Sequence, residues 1–123
     1  MNVALGKLFA IELQRYPEDD RKKILSFVIH LKINGFNHLQ GRNKFSDDID
    51  WSDPDYTEKS EYVKLHCLWH YHIGIEKYDT SKKVGDWTSE YVVHYCRPDA
   101  RDVKIVDFSA HPPFRLPTIS YME

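Results

Sequence analysis

The sequence predicts an α+β fold in which an N-terminal pair of helices packs on a small antiparallel β-sheet meander. Apolar residues recur at helical spacing in the first third of the chain. Later segments are rich in β-branched and aromatic residues, and the connections between them are short. Short connections favour antiparallel pairing, so we expect the strands to follow one another across the sheet. Residues 1–123 are expected to form a single domain.

Two helices are predicted in this first third. The first, over residues 4–15, rests on apolar residues at helical spacing: Leu5, Leu8, Phe9 and Leu13. The second, over residues 17–34, begins at Pro17, which suits the first position of a helix. Acidic residues follow Pro17 and oppose the positive end of the helix dipole. The pair Asn34-Gly35 is a typical helix end.

The longest apolar stretch runs from Val63 to Ile75 and is predicted to be a strand. Its odd-numbered positions are apolar or aromatic, whereas its even-numbered positions include His66, His70 and His72. Such alternation places the two sets of side chains on opposite faces of a sheet. Residues 36–62, which precede this stretch, are predicted to be a long polar loop with a few apolar anchors.

Two further strands complete the predicted meander. Residues 76–86 are expected to form a hairpin connection. Residues 87–97 are rich in β-branched and aromatic side chains and predict the next strand. After a turn, residues 103–110 predict the last strand, which Pro112-Pro113 is expected to end.

Charge and cysteine content narrow the class of protein. The formal net charge is −2, but the segment from Phe45 to Tyr62 is strongly acidic and the remainder is mildly basic, which permits an anionic ligand on one surface. Cys67 and Cys96 are too few and too far apart for a disulfide framework. No signal peptide or run of transmembrane length is visible, so we expect a cytoplasmic protein without a membrane partner.

Histidines are the candidate chemical groups. Five of them lie in or next to the predicted strands: His66, His70, His72, His94 and His111. Imidazole titrates near neutral pH, so a group of histidines suits general acid–base catalysis. The same side chains could bind zinc, or they could be structural and pair with strand neighbours. The residues alone leave these three interpretations open.

Basic and aromatic residues are interleaved in the C-terminal half. The basic residues are Lys82, Lys83, Arg97, Arg101, Lys104 and Arg115, and the aromatic residues are Trp69, Tyr71, Trp87, Tyr91 and Tyr95. Cations beside aromatic planes are typical of proteins that bind single-stranded nucleic acid. No Walker loop, G-x-S-x-G elbow, H-E-x-x-H motif or dinucleotide fingerprint is present.

Several short motifs follow one another in a characteristic order over about residues 30–115. Gly41-Arg42 leads into the acidic, aromatic segment F-S-D-D-I-D-W, and the segment H-Y-H-I begins at His70. The stretch T-S-E at residues 88–90 precedes a strand that ends in Y-C, and a histidine- and proline-bearing end lies at residues 109–113. This order resembles the YafO-type toxins of bacterial type II toxin–antitoxin systems, which belong to the RelE/ParE-like superfamily.

The resemblance implies a ribosome-dependent mRNA endoribonuclease, or mRNA interferase, that inhibits translation. The implied partners are the ribosome, mRNA and a cognate antitoxin that neutralises the enzyme, and a homodimer is compatible with them. The implied reaction is attack of a ribose 2′-hydroxyl on the adjacent phosphate, which needs neither a metal nor another cofactor. The family also implies the helical pair on a small antiparallel sheet.

Roles in this reaction follow for particular residues. We expect acid–base work from His70, His72 and His111, and stabilisation of phosphate charge from Arg115 together with Lys82 and Lys83. The expected RNA-binding residues are Lys82, Lys83, Trp87, Thr88 and Tyr95, with Trp87 or Tyr95 as the stacking plane and Thr88 as a positioning hydroxyl. Two alternatives come from other classes: a non-catalytic interaction module with structural histidines, and a metal-dependent binding protein or hydrolase.

Overall fold

The computed structural model describes residues 1–112 and 114–123, so Pro113, one of the two prolines expected to end the last strand, lies outside the described residues. The described elements, in chain order, are β1 (Asn2–Leu5), α1 (Lys7–Leu13), α2 (Glu18–Asn34), β2 (Asn43–Phe45), α3 (Tyr56–His66), β3 (Leu68–His72), β4 (Tyr91–Cys96) and β5 (Asp102–Ala110). A short 3₁₀ turn at Ile119–Met122 follows. The predicted α+β class is confirmed.

The strands form one open, mixed sheet in the order β1-β5-β4-β3-β2. The neighbours β3, β4 and β5 are antiparallel, as the predicted meander requires. The sequence predicts neither edge strand. β1 pairs parallel with β5 at one edge, and β2 pairs antiparallel with β3 at the other. The helical pair therefore follows a strand, and a third helix, α3, lies later in the chain.

The first predicted helix, over residues 4–15, is shorter than expected because its start belongs to β1. Leu5 has helical spacing to the apolar residues after it, but it pairs with Ile105 in the parallel edge. Gly6 then donates its N–H to the carbonyl of Ile105 at 2.7 Å, and α1 begins at the next residue. A partner about a hundred residues away in the sequence thus overrides the local pattern.

The second predicted helix is confirmed as α2. It begins after Pro17 and ends before Gly35, whose φ of 60° is a left-handed value that glycine adopts without strain. Its buried residues are Ile24, Phe27 and Leu31. The ring of Phe27 stacks on Tyr71 of β3, with 4.6 Å between ring centroids and 4° between planes. This contact places α2 on one face of the sheet.

The predicted strand over residues 63–75 is wrong in its first half. α3 continues to His66, and Cys67 then adopts a left-handed conformation (φ 50°, ψ 52°) before β3 begins. His66 consequently lies on a helix, where its ring contacts Tyr62 at 4.6 Å between centroids. Alternation over a few residues does not distinguish a strand from the last turn of a helix.

The predicted loop over residues 36–62 contains β2 and the first part of α3. Val63 is the buried residue of α3, and the helix carries few other apolar side chains on its inner face. A helix with so little apolar periodicity gives a weak signal in the sequence. β2 has three residues, which is too short for an alternating pattern.

The sheet separates two apolar clusters. The larger one lies under α1 and α2 and includes Phe9, Phe27, Tyr71, Ile73, Val93, Tyr95 and Ile105. The smaller one includes Val63, Leu68, Cys96 and Val106. Within β3 the predicted alternation is confirmed, since Tyr71 belongs to the cluster under the helices and Leu68 to the other. No helix among the described residues combines the length and the apolarity that crossing a membrane requires.

The remaining strand predictions are confirmed with altered limits. β5 matches its prediction within a residue, whereas β4 begins later than the predicted strand over residues 87–97. The residues before β4 form isolated bridges instead: Trp87 with Gly41, and Thr88 with Asp79. The segment before β4 therefore pairs both with the loop before β2 and with the connection that follows β3.

Candidate active site

A cluster of histidines lies on the face of the sheet away from α1 and α2. His70 and His72 are two positions apart on β3, and His94 of β4 pairs in register with His70. His111 follows β5, and its backbone N–H donates to the carbonyl of Glu90 at 2.6 Å. Three separate parts of the chain therefore supply the rings of this cluster.

Three of these rings form a triangle, which we call the histidine triangle: His70, His72 and His111. The distances between ring centroids are 5.9 Å for His70–His72, 5.7 Å for His70–His111 and 5.5 Å for His72–His111. One nitrogen of each ring lies within 4.8 Å of one nitrogen of each of the other two. His94 stands outside the triangle, with its ring centroid 6.3 Å from that of His70.

Serine residues orient the two rings from β3. Ser46, which follows β2 and is fully buried, has its Oγ 2.9 Å from Nδ1 of His70. The backbone of Ser89 holds His72, with its N–H 3.1 Å and its carbonyl oxygen 3.0 Å from Nδ1 of that ring. Each ring thus has Nδ1 engaged, which leaves Nε2 as the nitrogen available to a substrate or ligand.

Two ring nitrogens are buried without a hydrogen-bond partner among the described residues: Nδ1 of His94 and Nδ1 of His111. The other nitrogen of His94 lies 2.8 Å from Oγ of Ser109, and the ring is fully buried. His111, in contrast, lines a cleft. Because buried polar atoms are nearly always paired, an unpaired nitrogen at a cleft marks a position where a ligand atom can bind.

Arg42 and Lys44 bring positive charge to the histidine triangle. Lys44 of β2 pairs in register with His70, and its Nζ lies 2.8 Å from Oδ2 of Asp48. Nε of Arg42 lies 2.6 Å from Oδ1 of Asp86. These hydrogen bonds hold the pKa of both carboxyls below the usual range. The site therefore offers cations to an anionic group without a large net positive charge.

Gly41 fixes the position of Arg42. A Cβ at Gly41 would lie 1.9 Å from the carbonyl oxygen of His72 and 2.7 Å from the hydroxyl of Tyr78, so only glycine permits this approach. The carbonyl of Arg42 accepts the N–H of His72 at 3.0 Å, and its N–H donates to the carbonyl of Trp87 at 2.8 Å. Main-chain contacts thus hold the Gly41-Arg42 pair between β3 and the segment before β4.

Burial makes the histidines weak bases. It lowers the pKa of His70 to about 3, with the like charges of His94 and His72 adding to the effect. Burial also lowers the pKa of His94 to about 3 and lowers that of His72. The pKa of His111 is likewise lowered by burial, but the carboxylate of Asp48 opposes this shift. At neutral pH the rings are therefore uncharged, and His111 is the one whose protonation a carboxylate favours.

Two cavities give access to the histidine triangle. A cleft of about 520 Å³ is lined by Arg42, His72, Tyr78, Thr88, Ser89, Glu90 and His111, among others. A pocket of about 90 Å³ is lined by Arg42, Lys44, Asp48, Phe114 and the three triangle residues. The ring of Phe114 lies 4.7 Å from that of His70 and 5.0 Å from that of His111, and so covers one side of the pocket.

The structure brings together the three histidines from which the sequence predicts acid–base work, His70, His72 and His111. Thr88, predicted to position RNA, lines the same cleft as His72. His66 does not join them, because it lies on α3. The sequence signal that identifies His70 and His72 is their spacing of two residues on one predicted strand.

The predicted cations lie apart from the triangle. Arg115 is exposed and lines a separate groove of about 720 Å³ beside acidic residues that include Asp50 and Asp53. Lys82 and Lys83 are exposed in the connection between β3 and β4 and line neither cavity at the triangle. The cations beside the histidines are instead Arg42 and Lys44, for which the sequence predicts no role.

The two predicted stacking residues have different environments. Trp87 is half-buried, packs against the ring of Tyr78 at 5.6 Å between centroids, and donates its Nε1–H to the carbonyl of Lys82. Tyr95 belongs to the core under the helices, is 0% exposed, and donates its hydroxyl to Oδ1 of Asn43. A base cannot reach the ring of Tyr95, so that assignment is corrected.

Sequence reasoning misses the residues that surround the triangle: Arg42, Lys44, Ser46, Asp48 and Ser89. Arg42 belongs to the Gly41-Arg42 motif, and a glycine before an arginine in a polar segment is the available signal. Ser46 and Ser89 lie in the segments F-S-D-D-I-D-W and T-S-E, but serines are common in polar segments and do not by themselves indicate a contact with a histidine.

Comparison of the chain with models of protein families, with curated proteins and with solved structures finds no match.

Proposed function

We propose that this protein is an RNA endonuclease that cleaves mRNA on the ribosome, as a toxin of the YafO type with a RelE/ParE-like fold. The observation that carries the proposal is the convergence of three imidazoles and two cations on one pocket, in the histidine triangle with Arg42 and Lys44. The order of the short sequence motifs and the helical pair packed on antiparallel strands support the same assignment.

The reaction needs two proton transfers and one cationic contact. A base removes the proton of a ribose 2′-hydroxyl, whose oxygen attacks the adjacent phosphorus. The bond from phosphorus to the 5′-oxygen breaks, and an acid gives a proton to that oxygen. The products are a 2′,3′-cyclic phosphate and a free 5′-hydroxyl. Cations stabilise the extra charge on the phosphorane-like transition state.

His72 is the proposed base in this reaction. Its ring is uncharged, Ser89 fixes its Nδ1, and it lines both the open cleft and the smaller pocket. His111 is the proposed acid, because the carboxylate of Asp48 opposes the lowering of its pKa and because it faces the same two cavities. His70, which is more deeply buried, would hold the other two rings in place and share the proton transfers.

Arg42 is the proposed contact for the scissile phosphate. Its Nε is bound to Asp86, and Arg42 lines both cavities with His72 and His111. A guanidinium held in this way is ready to bind a phosphate without further reorganisation. Lys82, Lys83 and Arg115 would then contact more distant parts of the RNA backbone, and Thr88 would contact the nucleotide in the cleft.

The proposed partners are the ribosome, mRNA and a cognate antitoxin in the cytoplasm. Three apolar residues of α2, four positions apart, form an exposed stripe: Leu25 (46% exposed), Ile29 (57%) and Ile33 (74%). Exposed apolar stripes of this kind commonly receive an amphipathic segment of a partner. We assign the stripe to such a segment of the antitoxin.

The test is cleavage of a defined mRNA on programmed ribosomes, with the product ends identified by mass spectrometry. The wild-type protein should leave 2′,3′-cyclic phosphates, and His72→Ala/His111→Ala should lower the rate at least about 100-fold. The matched control is His38→Ala/His66→Ala, which removes two histidines outside the triangle and should cleave at the wild-type rate. A folded triangle variant with wild-type activity, or a wild-type protein that leaves RNA intact, would contradict the proposal.

A further inference from the structure

We propose that His70, His72 and His111 bind one divalent transition-metal ion of the zinc class, and that the bound ion blocks the nuclease reaction. The site stands on the geometry of the three imidazoles alone. The blocking effect rests on the proposed function, since it requires that the same rings carry protons during RNA cleavage.

The arrangement of the nitrogens suits one ion. One nitrogen from each ring lies within 4.8 Å of the other two. In a tetrahedral zinc site, with bonds of about 2.0–2.1 Å, neighbouring ligand nitrogens are about 3.3 Å apart. Small rotations of the rings therefore close the triangle around an ion. The two histidines on β3 are held by the sheet, and His111 comes from the segment after β5.

The hydrogen bonds of the rings are those of metal ligands. In the tautomer that carries the proton on Nδ1, His70 donates to Oγ of Ser46 at 2.9 Å and His72 donates to the carbonyl oxygen of Ser89 at 3.0 Å, whereas the other tautomer of His72 accepts the N–H of Ser89 at 3.1 Å. A zinc-bound imidazole characteristically donates its other N–H to such an outer oxygen, which fixes the tautomer and the orientation of the ring. In the tautomer with the proton on Nδ1, Nε2 of both rings carries the lone pair that can bind an ion.

His111 supplies an independent indication of a ligand. Its Nδ1 is buried and has no partner among the described residues. Coordination to an ion is one way in which a buried nitrogen of this kind is satisfied. His94, the other ring with an unpartnered Nδ1, is fully buried behind His70 and is not part of the triangle.

The charges and ligand types around the triangle select the class of ion. Arg42 and Lys44 would repel a cation, but each is paired with a carboxylate, Asp86 and Asp48 respectively. Three nitrogen ligands suit zinc, nickel, copper or cobalt, whereas magnesium and calcium prefer oxygen. Asp48 also lines the pocket, and its carboxylate would accept a hydrogen bond from a water bound at the open fourth position.

Metal binding and the nuclease reaction exclude each other at this site. An imidazole nitrogen bound to an ion has no lone pair with which to take the 2′-hydroxyl proton. The same applies to His111, which cannot carry a proton to the leaving oxygen through a coordinated nitrogen. One bound ion therefore removes both the proposed base and the proposed acid.

The binding experiment is calorimetric titration of the EDTA-treated, desalted protein with zinc chloride. We expect one equivalent of zinc to bind, and we expect His72→Ala and His111→Ala each to weaken binding at least about 10-fold. The matched controls His38→Ala and His66→Ala should bind as the wild type does. Cobalt(II) added to the wild-type protein gives a second measurement that needs no variant, since a tetrahedral site produces strong visible absorption. Absence of stoichiometric binding, or loss of binding in the control variants, overturns the site.

The blocking effect is tested by the ribosome cleavage assay in EDTA and with one equivalent of zinc. Cleavage in EDTA that zinc abolishes, and that further EDTA restores, supports the proposal. Cleavage that is unaffected by bound zinc overturns the blocking effect, and so does cleavage that requires zinc. A protein that binds zinc at the triangle but never cleaves RNA overturns the proposed function and the blocking effect, whereas the site stands. A protein that cleaves RNA but binds no zinc overturns the site and with it the blocking effect, whereas the proposed function stands.

Discussion

The two faces of β3 are equally buried but are stabilised by different interactions. Tyr71 and His70 are each 4% exposed, although one faces the helices and the other faces the histidine triangle. The ring of Tyr71 is held by packing, since it stacks on Phe27 at 4.6 Å, and only its hydroxyl is hydrogen-bonded, to the N–H of Gly41 and the hydroxyl of Tyr78. His70 is held by a hydrogen bond between its Nδ1 and Oγ of Ser46, and burial together with the neighbouring histidines lowers its pKa. Adjacent residues of one strand thus serve a core and a polar site.

The difference between the two faces of β3 indicates which of them serves a function. An apolar side chain gains free energy on burial, whereas an imidazole loses the hydration of two nitrogens and recovers it only through new partners. The face under the helices is therefore explained by stability alone. The other face, where Nδ1 of His111 has no partner among the described residues, is not. The burial of histidines on that face is best explained by a catalytic or ligand-binding role.

The largest expected effect comes from truncating the apolar face. Tyr95→Ala removes a ring that is 0% exposed and stacks on Phe36 at 5.6 Å between centroids. It should lower the free energy of unfolding by about 3–5 kcal/mol, because the cavity left behind does not collapse fully. Urea denaturation measures this change, and Leu65→Ala, at a position that is 77% exposed, is the control expected to cost little. Equal losses in the two variants would show that Tyr95 is not part of a close-packed core.

A smaller effect is expected from the polar face. Ser46→Ala leaves Nδ1 of His70 buried without its partner, which should lower the free energy of unfolding by about 1–3 kcal/mol. RNA cleavage should fall as well, because the His70 ring loses its fixed orientation. Denaturation and cleavage assays on the same samples separate the two effects. Ser26→Ala, at an exposed position of α2, should change neither. A fully stable Ser46 variant would mean that another group satisfies His70.

The smallest expected effect concerns Asp107, which pairs in register with His94. Burial, together with the charge of Glu12, raises the pKa of its carboxyl from 3.8 to about 6. The N–H of Phe108 donates to this carboxyl and opposes the shift, because it favours the ionised form. Between about pH 4 and pH 6 the folded chain holds a proton that the unfolded chain releases, so stability falls as pH rises through this range. Above about pH 6 the carboxyl is ionised in both states, and stability does not fall further on its account.

Asp107→Asn removes this titration. The variant should be more stable than the wild type by about 1 kcal/mol at pH 7, after allowance for partial exposure, and no more stable at pH 4. Thermal unfolding at the two pH values measures the difference. The groups that face this carboxyl from neighbouring elements, Glu12 on α1 with Tyr16 and Tyr121, are unchanged in the variant. A gain of the same size at both pH values would contradict the raised pKa.

The parts of the fold that the sequence predicts are those whose signals are local. α2 has Pro17 at its start, Gly35 at its end and an apolar face between them, and β5 is a compact run of β-branched residues. β1 is missed because its four residues form a strand through pairing with β5, which lies far away in the sequence. α3 is missed because it is a polar helix with Val63 as its buried residue.

The candidate site also has residues that the sequence predicts and residues that it does not. His70 and His72 are predictable because a spacing of two on a strand determines a shared face. The position of His111 follows from the end of β5, one strand removed from them. Arg42 cannot be placed from the sequence, because its position depends on main-chain hydrogen bonds to His72 and Trp87 that no local pattern encodes. The exposed Arg115 shows the converse, that proximity in sequence to His111 does not bring a side chain to the site.

The fit of Gly41 against β3 has a genetic consequence. Any amino-acid replacement there introduces a Cβ, which would lie 1.9 Å from the carbonyl oxygen of His72, so no conservative change exists at this position. Every missense mutation of its codon should therefore disturb the strand that carries His70 and His72. If growth arrest is the phenotype of the intact chain, spontaneous survivors should carry missense changes at Gly41 as readily as at the histidines. A residue without a side chain would then be as informative about this site as its chemical groups.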